Sequence, residues 1–325
     1  MWQNAIAGCP VTSYNLPPML ERLIREIASD HSSGAAEILE KAPKLFESLS
    51  AETPQSTLFE VRHVTVEACV ALIRSQPCMA PLINLAIAVI RAQAASSTTD
   101  EARRAATVAA NDFLRGARQS SEVIQNLTSG LLADGQMVLT HSRSSTVAAA
   151  LTTAHNAGRK LRVVVTESRP LFEGRALAAE LAREGVDVTL IADSAAASLL
   201  TEVGCVLVGA DCITPNALVN KIGTRMIALA ARELGVPMYA AADSSKFLNP
   251  AGLSLLVEPG RAAEELWEGA PAAVNVLNRY FEETPLSYLT GIITESGLIT
   301  SGDAAEHAEI AVIDPVLAGA LNSSS

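Results

Sequence analysis

Between Asp134 and Gln136 the hydrophobic rhythm of the chain changes, and that change limits the folds open to it. From Pro18 to about Asp134, apolar residues recur at three and four spacing in "MLERLIREIAS", "AAEILEKAPKLFESLS", "LFEVRHVTVEACVALIRS", "LINLAIAVIRAQAAS" and "DEARRAATVAANDFLRGARQSSEVIQNLTSGLL", the mark of amphipathic helices. After Gly135 short apolar runs ("QMVLT", "LRVVVTE", "VDVTLIA", "CVLVGA", "PMYAAAD") alternate with helical segments. Buried parallel strands read as such continuous Val/Ile/Leu runs, each followed by a crossover helix. The expected fold is therefore α/β: an all-helical N-terminal domain over residues 1–134, then a Rossmann-like, doubly wound parallel-sheet domain over 135–325. A chain of 325 residues is long enough for both.

In the second half, polar residues follow the apolar runs directly: Thr140-His141-Ser142, Glu167-Ser168-Arg169, Asp193-Ser194, Asp211 and Asp243-Ser244. Ligands of open α/β sheets bind at the carboxyl ends of the strands, so these residues are expected to face one crevice. At Asp193 and Asp243 an equally good reading is a helix cap. No G-x-G-x-x-G and no G-x-x-x-x-G-K-[ST] is present, so no dinucleotide or other cofactor is expected. Ser144, Ser145 and the amides of the helix that follows suit a smaller anion, as do Ser33, Gly34 and Ala35 at another helix start.

A formal charge of -11 with no run of Lys or Arg argues against nucleic acid and favours a small ligand or a protein partner. Five cysteines (Cys9, Cys69, Cys78, Cys205, Cys212) are scattered without a C-x-x-C pair, so neither a disulfide framework nor a metal site is expected. The start "MWQNAIAGCPVTSYNLPP" has no basic or apolar leader region, and no stretch of about 18 apolar residues follows. A cytoplasmic protein with no membrane partner is the expectation, with "LNSSS" a frayed tail.

"DGQMVLTHSRSSTV", "VVVTESRPLFEGRALAAEL", "IADSAA", "VGADCITPNALVNKIGT", "AADSSKF" and "EETPLSYLTGIITESG" together resemble the initiation factor 2B alpha/beta/delta family. That family joins subunits of a guanine-nucleotide exchange factor to ribose 1,5-bisphosphate and methylthioribose 1-phosphate isomerases. The likeness spans the second half and is thinner in the first, at "DHSSGAAEILEKA" and "SQPCMAPLINLAIAV". It implies a phosphorylated sugar or nucleotide between the domains, a homodimer or higher oligomer, and initiation factor partners only in a host that has them. In the isomerases a cysteine after the first strand and the aspartate of a G-A-D motif shuttle protons. Asp211 matches that aspartate, Asn220 and Lys221 the pair that fixes the sugar and its phosphate, and Arg169 the arginine of the E-x-R-P segment.

The sequence also departs from the isomerases. Ser142 stands where they have the cysteine and Arg143 where they have asparagine. A hydroxyl is far less acidic than a thiol, whose ordinary pKa is about 8.5, so Ser142 does not inherit the acid/base role unaided. Gln76 replaces a phosphate-contacting arginine, and "ITPNALVNK" is one residue short. Lys221 is expected on a helix beginning near Ala217, His141 in a hydrogen bond within the fold, and Cys212 in the core. The sequence thus points to an initiation factor 2B alpha-like binder of a phosphorylated sugar or nucleotide, weakly catalytic or not at all. It uses Asp211, Asn220, Lys221, Arg169 and the 140–145 loop, with an aldose-ketose isomerase as the alternative.

Overall fold

The computed structural model describes residues 16–54, 56–249, 260–310 and 314–323. Cys9, the first residues of the chain and the end of the "LNSSS" tail lie outside them.

Helices occupy the chain from Pro18 to Leu131, and their ends follow the local sequence. Thr57 and Thr98 each open a helix with a capping box, the Thr hydroxyl accepting from the amide three residues on while Glu60 or Glu101 reaches back to the Thr amide. The 33-residue helix Thr99–Leu131 runs along the rest of this region and packs on Ala80–Ala94 and on the sheet-side helix Ser145–Asn156. The core here is built from Leu20, Ile38, Leu45, Phe46, Leu72, Leu82 and Leu85, and it takes in Leu317 and Leu321 from the C-terminal helix Pro315–Ser323.

The strands are β1 (Met137–Thr140), β2 (Arg162–Thr166), β3 (Asp187–Ile191), β4 (Cys205–Val208), β5 (Cys212–Ile213), β6 (Ala217–Lys221), β7 (Met238–Ala241), β8 (Phe281–Pro285), β9 (Gly291–Thr294) and β10 (Gly297–Ile299). Seven form the central sheet in the order β10-β9-β7-β4-β1-β2-β3, parallel except where β10 folds back on β9. Alternate residues feed two cores, one on each face of the sheet. Leu139, Val164, Val206 and Ala240 pack toward Ile227 and Ala231 of the helix Thr224–Leu234. Val138, Val163, Val165 and Leu207 pack toward Leu151 and Leu177 on Ser145–Asn156 and Glu173–Arg183. The chain is thus a mixed α/β protein, with a parallel-dominated sheet and a helical N-terminal region. No described helix is long and apolar enough to cross a membrane.

All five apolar runs read as parallel strands are strands. The segment read as a helix from near Ala217 is corrected: Ala217–Lys221 is β6, the middle strand of a second, antiparallel sheet β5-β6-β8, and the helix begins at Thr224. All five residues of β6 are buried and paired, Val219 opposite Glu283 and Lys221 opposite Phe281. Tertiary pairing overrides the apolar spacing of "ALVNKIGT". This small sheet lies against the helical core through Cys212, Val219 and Phe281.

Candidate functional site

The small sheet, the carboxyl ends of β1 and β4 and the loop Asp30–Ala36 enclose a cleft. It holds about 710 Å³ of space, part of it continuous with solvent. Its wall contains ten of the eleven candidate site residues: Ser33, Gly34, Ala35, His141, Ser142, Arg143, Ser144, Asp211, Asn220 and Lys221. Arg169 is the one that does not line it.

Each reaches the cleft for a local reason. The backbone turns sharply after β1, with Ser142 in the left-handed region at φ 65°, its amide donating to Ser168 Oγ at 2.8 Å. Ser144 then caps the helix Ser145–Asn156 by accepting from the Val147 amide. Asp211, only 9% exposed, follows β4; its amide donates to the Val219 carbonyl at 3.0 Å and its carbonyl accepts from the Ala80 amide at 3.1 Å, tying it to β6 and to the helical region. Asn220 and Lys221 end β6, and Asn220 Nδ2 donates to Thr224 Oγ1 at 3.1 Å.

His141 holds the cleft together through both ring nitrogens. Its Nε2 lies 2.8 Å from the Ile222 carbonyl and therefore carries the proton, which leaves Nδ1 to accept from the Thr166 hydroxyl at 2.6 Å. Burial, opposed by the Ile222 hydrogen bond and by Asp193 and reinforced by Lys221, holds its pKa below the ordinary value. Arg143 bridges two regions, donating to Glu37 Oε2 at 2.6 Å and to Glu180 Oε2 at 3.1 Å. Glu37 also accepts from the Gly34 amide at 3.2 Å, so Arg143 and the Gly34 loop share one carboxylate.

Gln76 spends its amide on the fold: Nε2 donates to the Ile27 carbonyl at 2.9 Å and the Asp30 carbonyl at 2.8 Å. The Asp30 carboxylate in turn gathers the Ser32 and Ser33 amides and Lys41. Burial raises its pKa, but these hydrogen bonds outweigh it and leave the group well below the usual carboxylate range.

Four further residues of the wall, Lys246, Glu173, Tyr280 and Phe281, have no role assigned from sequence. Lys246, 6% exposed, donates to the Ala210 carbonyl, and its own helical turn Ser244–Lys246 is capped by Asp243. Glu173 opens the helix Glu173–Arg183 and pairs with Lys221, Nζ to Oε1 at 2.5 Å. Gly174 makes that placement feasible, because a Cβ there would lie 1.7 Å from the Thr166 carbonyl oxygen. Tyr280 and Phe281 face Lys221 from β8 and the residue before it, with Nζ 4.9 and 5.2 Å from their ring centres. The signals for Lys246 and Glu173 were the lysine of "DSSKF" and the glutamate of "LFEGR", each hidden in a stretch that otherwise reads as a cap or helix start.

Other expected strand-end residues make contacts within the fold. Asp193 accepts from the Ser168 and Arg169 amides at 2.7 Å each, and Glu167 pairs with Arg175. The Arg169 guanidinium donates to the Leu266 carbonyl at 2.9 Å and lies over the Phe172 ring. Cys212 is wholly buried; burial, aided by the neighbouring Asp211 carboxylate, pushes its thiol up, and it does not face the cleft. Among the described residues no group of His, Cys, Asp and Glu is placed to hold a metal ion.

Fold and cleft together define a mixed α/β protein with a buried polar site at its parallel strand ends, closed by its helical region. Residues 12–301 match the initiation factor 2 subunit family, and the chain belongs to it. A ribose 1,5-bisphosphate isomerase of Archaeoglobus fulgidus is 35% identical over 84% of this chain and 87% of its own length. A putative translation initiation factor eIF-2B subunit 2-like protein of Pyrococcus horikoshii is 32% identical over 87% and 97%. The crystal structure of a translation initiation factor eIF-2B from Pyrococcus horikoshii OT3 superposes with a TM-score of 0.76 at 30% identity, covering 87% of this chain and 98% of that one.

Proposed function

We propose that the chain binds a phosphorylated sugar or nucleotide in this cleft and has little or no isomerase activity. The observation that carries the reading is the pairing of Asp211, Asn220, Lys221 and Lys246 in one buried wall with a hydroxyl, Ser142, where proton transfer would need a stronger acid or base. Lys246 Nζ and the amides around Ser33, Gly34 and Ala35 are donors suited to phosphate, and Asn220 and Asp211 to sugar hydroxyls.

Aldose-ketose exchange needs one group to take a proton from carbon and a second to handle the hydroxyl proton. Asp211 can serve as one. Ser142 has no hydrogen-bonded base to deprotonate it: both His141 nitrogens are engaged elsewhere, and the hydroxyl itself has no hydrogen bond among the described residues. A homodimer belongs to the same reading, with exposed Met226 and Leu229 of the helix Thr224–Leu234 available to be covered.

The test is calorimetric titration of the purified protein with ribose 5-phosphate, ribose 1,5-bisphosphate and adenosine monophosphate, followed by NMR of the same mixtures for ketose. Saturable binding without ketose supports the proposal. Absence of heat with every ligand overturns the binding claim, and ketose formation overturns the claim of lost catalysis.

A further inference from the structure

Glu173 is out of keeping with a site for a doubly phosphorylated ligand. It is 8% exposed, faces the cleft, and neutralises Lys221 through Oε1, while its second oxygen, Oε2, is buried without a hydrogen-bond partner among the described residues. A buried acceptor left open costs free energy unless something supplies the missing hydrogen. Glu173 lines the cleft, and a ligand seated there is the nearest source of a donor for that oxygen.

The charges of the wall bear on the same point. Its acids are Asp30, Glu173 and Asp211 and its bases Arg143, Lys221 and Lys246. Arg143 is held by Glu37 and Glu180, and Lys221 by Glu173. Among the described residues Lys246 is the cation of the wall with no carboxylate in ion-pair reach, its contact being the Ala210 carbonyl. Gln76 contributes no charge and its amide nitrogen is already engaged by two carbonyls. Lys246 with the amides around Ser33, Gly34 and Ala35 matches one phosphate; a second would meet only the amides at the start of the helix Ser145–Asn156 and cations already neutralised, beside carboxylates that repel it.

We propose that Glu173 is a specificity-determining residue that selects a monophosphorylated ligand over a bisphosphate, its Oε2 accepting a hydroxyl or amine hydrogen from the ligand's uncharged end. The inference rests on the phosphosugar reading above and narrows it to polyol or nucleoside monophosphates. The Glu173–Lys221 pair then works as a neutral recognition unit. Its lysine is braced by Tyr280 and Phe281, and its carboxylate is presented by the Gly174 contact with β2.

Titration calorimetry of the full chain with ribose 1-phosphate, ribose 5-phosphate, ribose 1,5-bisphosphate and inorganic phosphate tests this. The wild-type protein is expected to bind one of the two monophosphates at least as tightly as the bisphosphate, and Glu173→Gln to shift that ratio by about tenfold toward the bisphosphate. Wild-type binding of the bisphosphate tighter than both monophosphates overturns the inference and leaves the phosphosugar reading standing. That comparison needs no variant, so it decides the matter even if Glu173→Gln fails to fold. A folded Glu173→Gln with an unchanged ratio also overturns the inference. No binding of any of the four compounds by the wild type overturns the phosphosugar reading itself, and the inference with it.

Discussion

Gly209 and Ser144 come from different strand ends, and their contact sets how closely the two walls of the cleft approach. A Cβ at Gly209 would lie 2.6 Å from Ser144 Cβ and 2.7 Å from Ser144 Oγ. Carbon atoms rest at about 3.5–4.0 Å, so Gly209→Ala forces roughly 1 Å of separation between the end of β4 and the cap of the helix Ser145–Asn156. Overpacking of this kind costs about 1–3 kcal/mol, and loss of chain freedom in the unfolded state returns about 0.4–1. The net is a destabilisation of about 1–2 kcal/mol, or roughly 2–3 °C in melting temperature for a protein of this size. Ser144→Gly removes both opposing atoms and, as a cap replacement, costs only about a few tenths of a kcal/mol. The double variant Gly209→Ala/Ser144→Gly is therefore expected within about 1 kcal/mol of wild type, more stable than Gly209→Ala alone. Denaturant unfolding of the four proteins in a double-mutant cycle measures this coupling. A Gly209→Ala protein as stable as wild type, or a double variant less stable than either single one, would refute the close approach of the two walls.

Other perturbations separate the roles within the cleft. His141 has a folded pKa below its ordinary value of 6.5, so it contributes stability that is fully present above pH 6.5 and is lost as pH falls below it, at most about 1.4 kcal/mol per pH unit. Urea midpoints between pH 5 and 8 check this, and a flat profile contradicts the buried neutral imidazole. Arg143→Ala breaks half-buried pairs to Glu37 and Glu180, with an expected loss of about 1–2 kcal/mol that shrinks in high salt; equal unfolding midpoints at low and high salt would argue against the bridge. Asp211→Asn is expected to weaken ligand binding by about tenfold while leaving the fold intact, read by calorimetry beside circular dichroism. Ser142→Cys is expected to retain the thermal shift with phosphosugar and to gain ketose formation, and loss of the shift would show the hydroxyl to be a ligand contact.

The parallel strands were legible because each is a bare apolar run between helical stretches, and buried strands carry little else. The cleft residues of the β1 and β4 ends were legible for the same reason, polar groups standing where the runs stop. The small sheet was not, since "ALVNK" becomes a strand only through its pairing with Cys212–Ile213 and Phe281–Pro285, one of them about 60 residues away in sequence. Of the other strand-end polar groups, Asp193 and Asp243 proved to hold backbone amides, a use indistinguishable from ligand binding until the loops are placed. Glu173 and Lys246 were hidden for the opposite reason. A glutamate opening a helix and a lysine in a polar turn look ordinary in one dimension, and only burial sets them apart.

The central claim, a cleft that holds phosphosugar but has lost its isomerase chemistry, is tested most directly by NMR of ribose 5-phosphate and ribose 1,5-bisphosphate with the protein in heavy water. Broadened phosphorus and sugar resonances are expected, with no ketose and no deuterium at C2. Ketose with deuterium incorporation would contradict the loss of catalysis, and unbroadened spectra at protein excess would contradict the binding site itself.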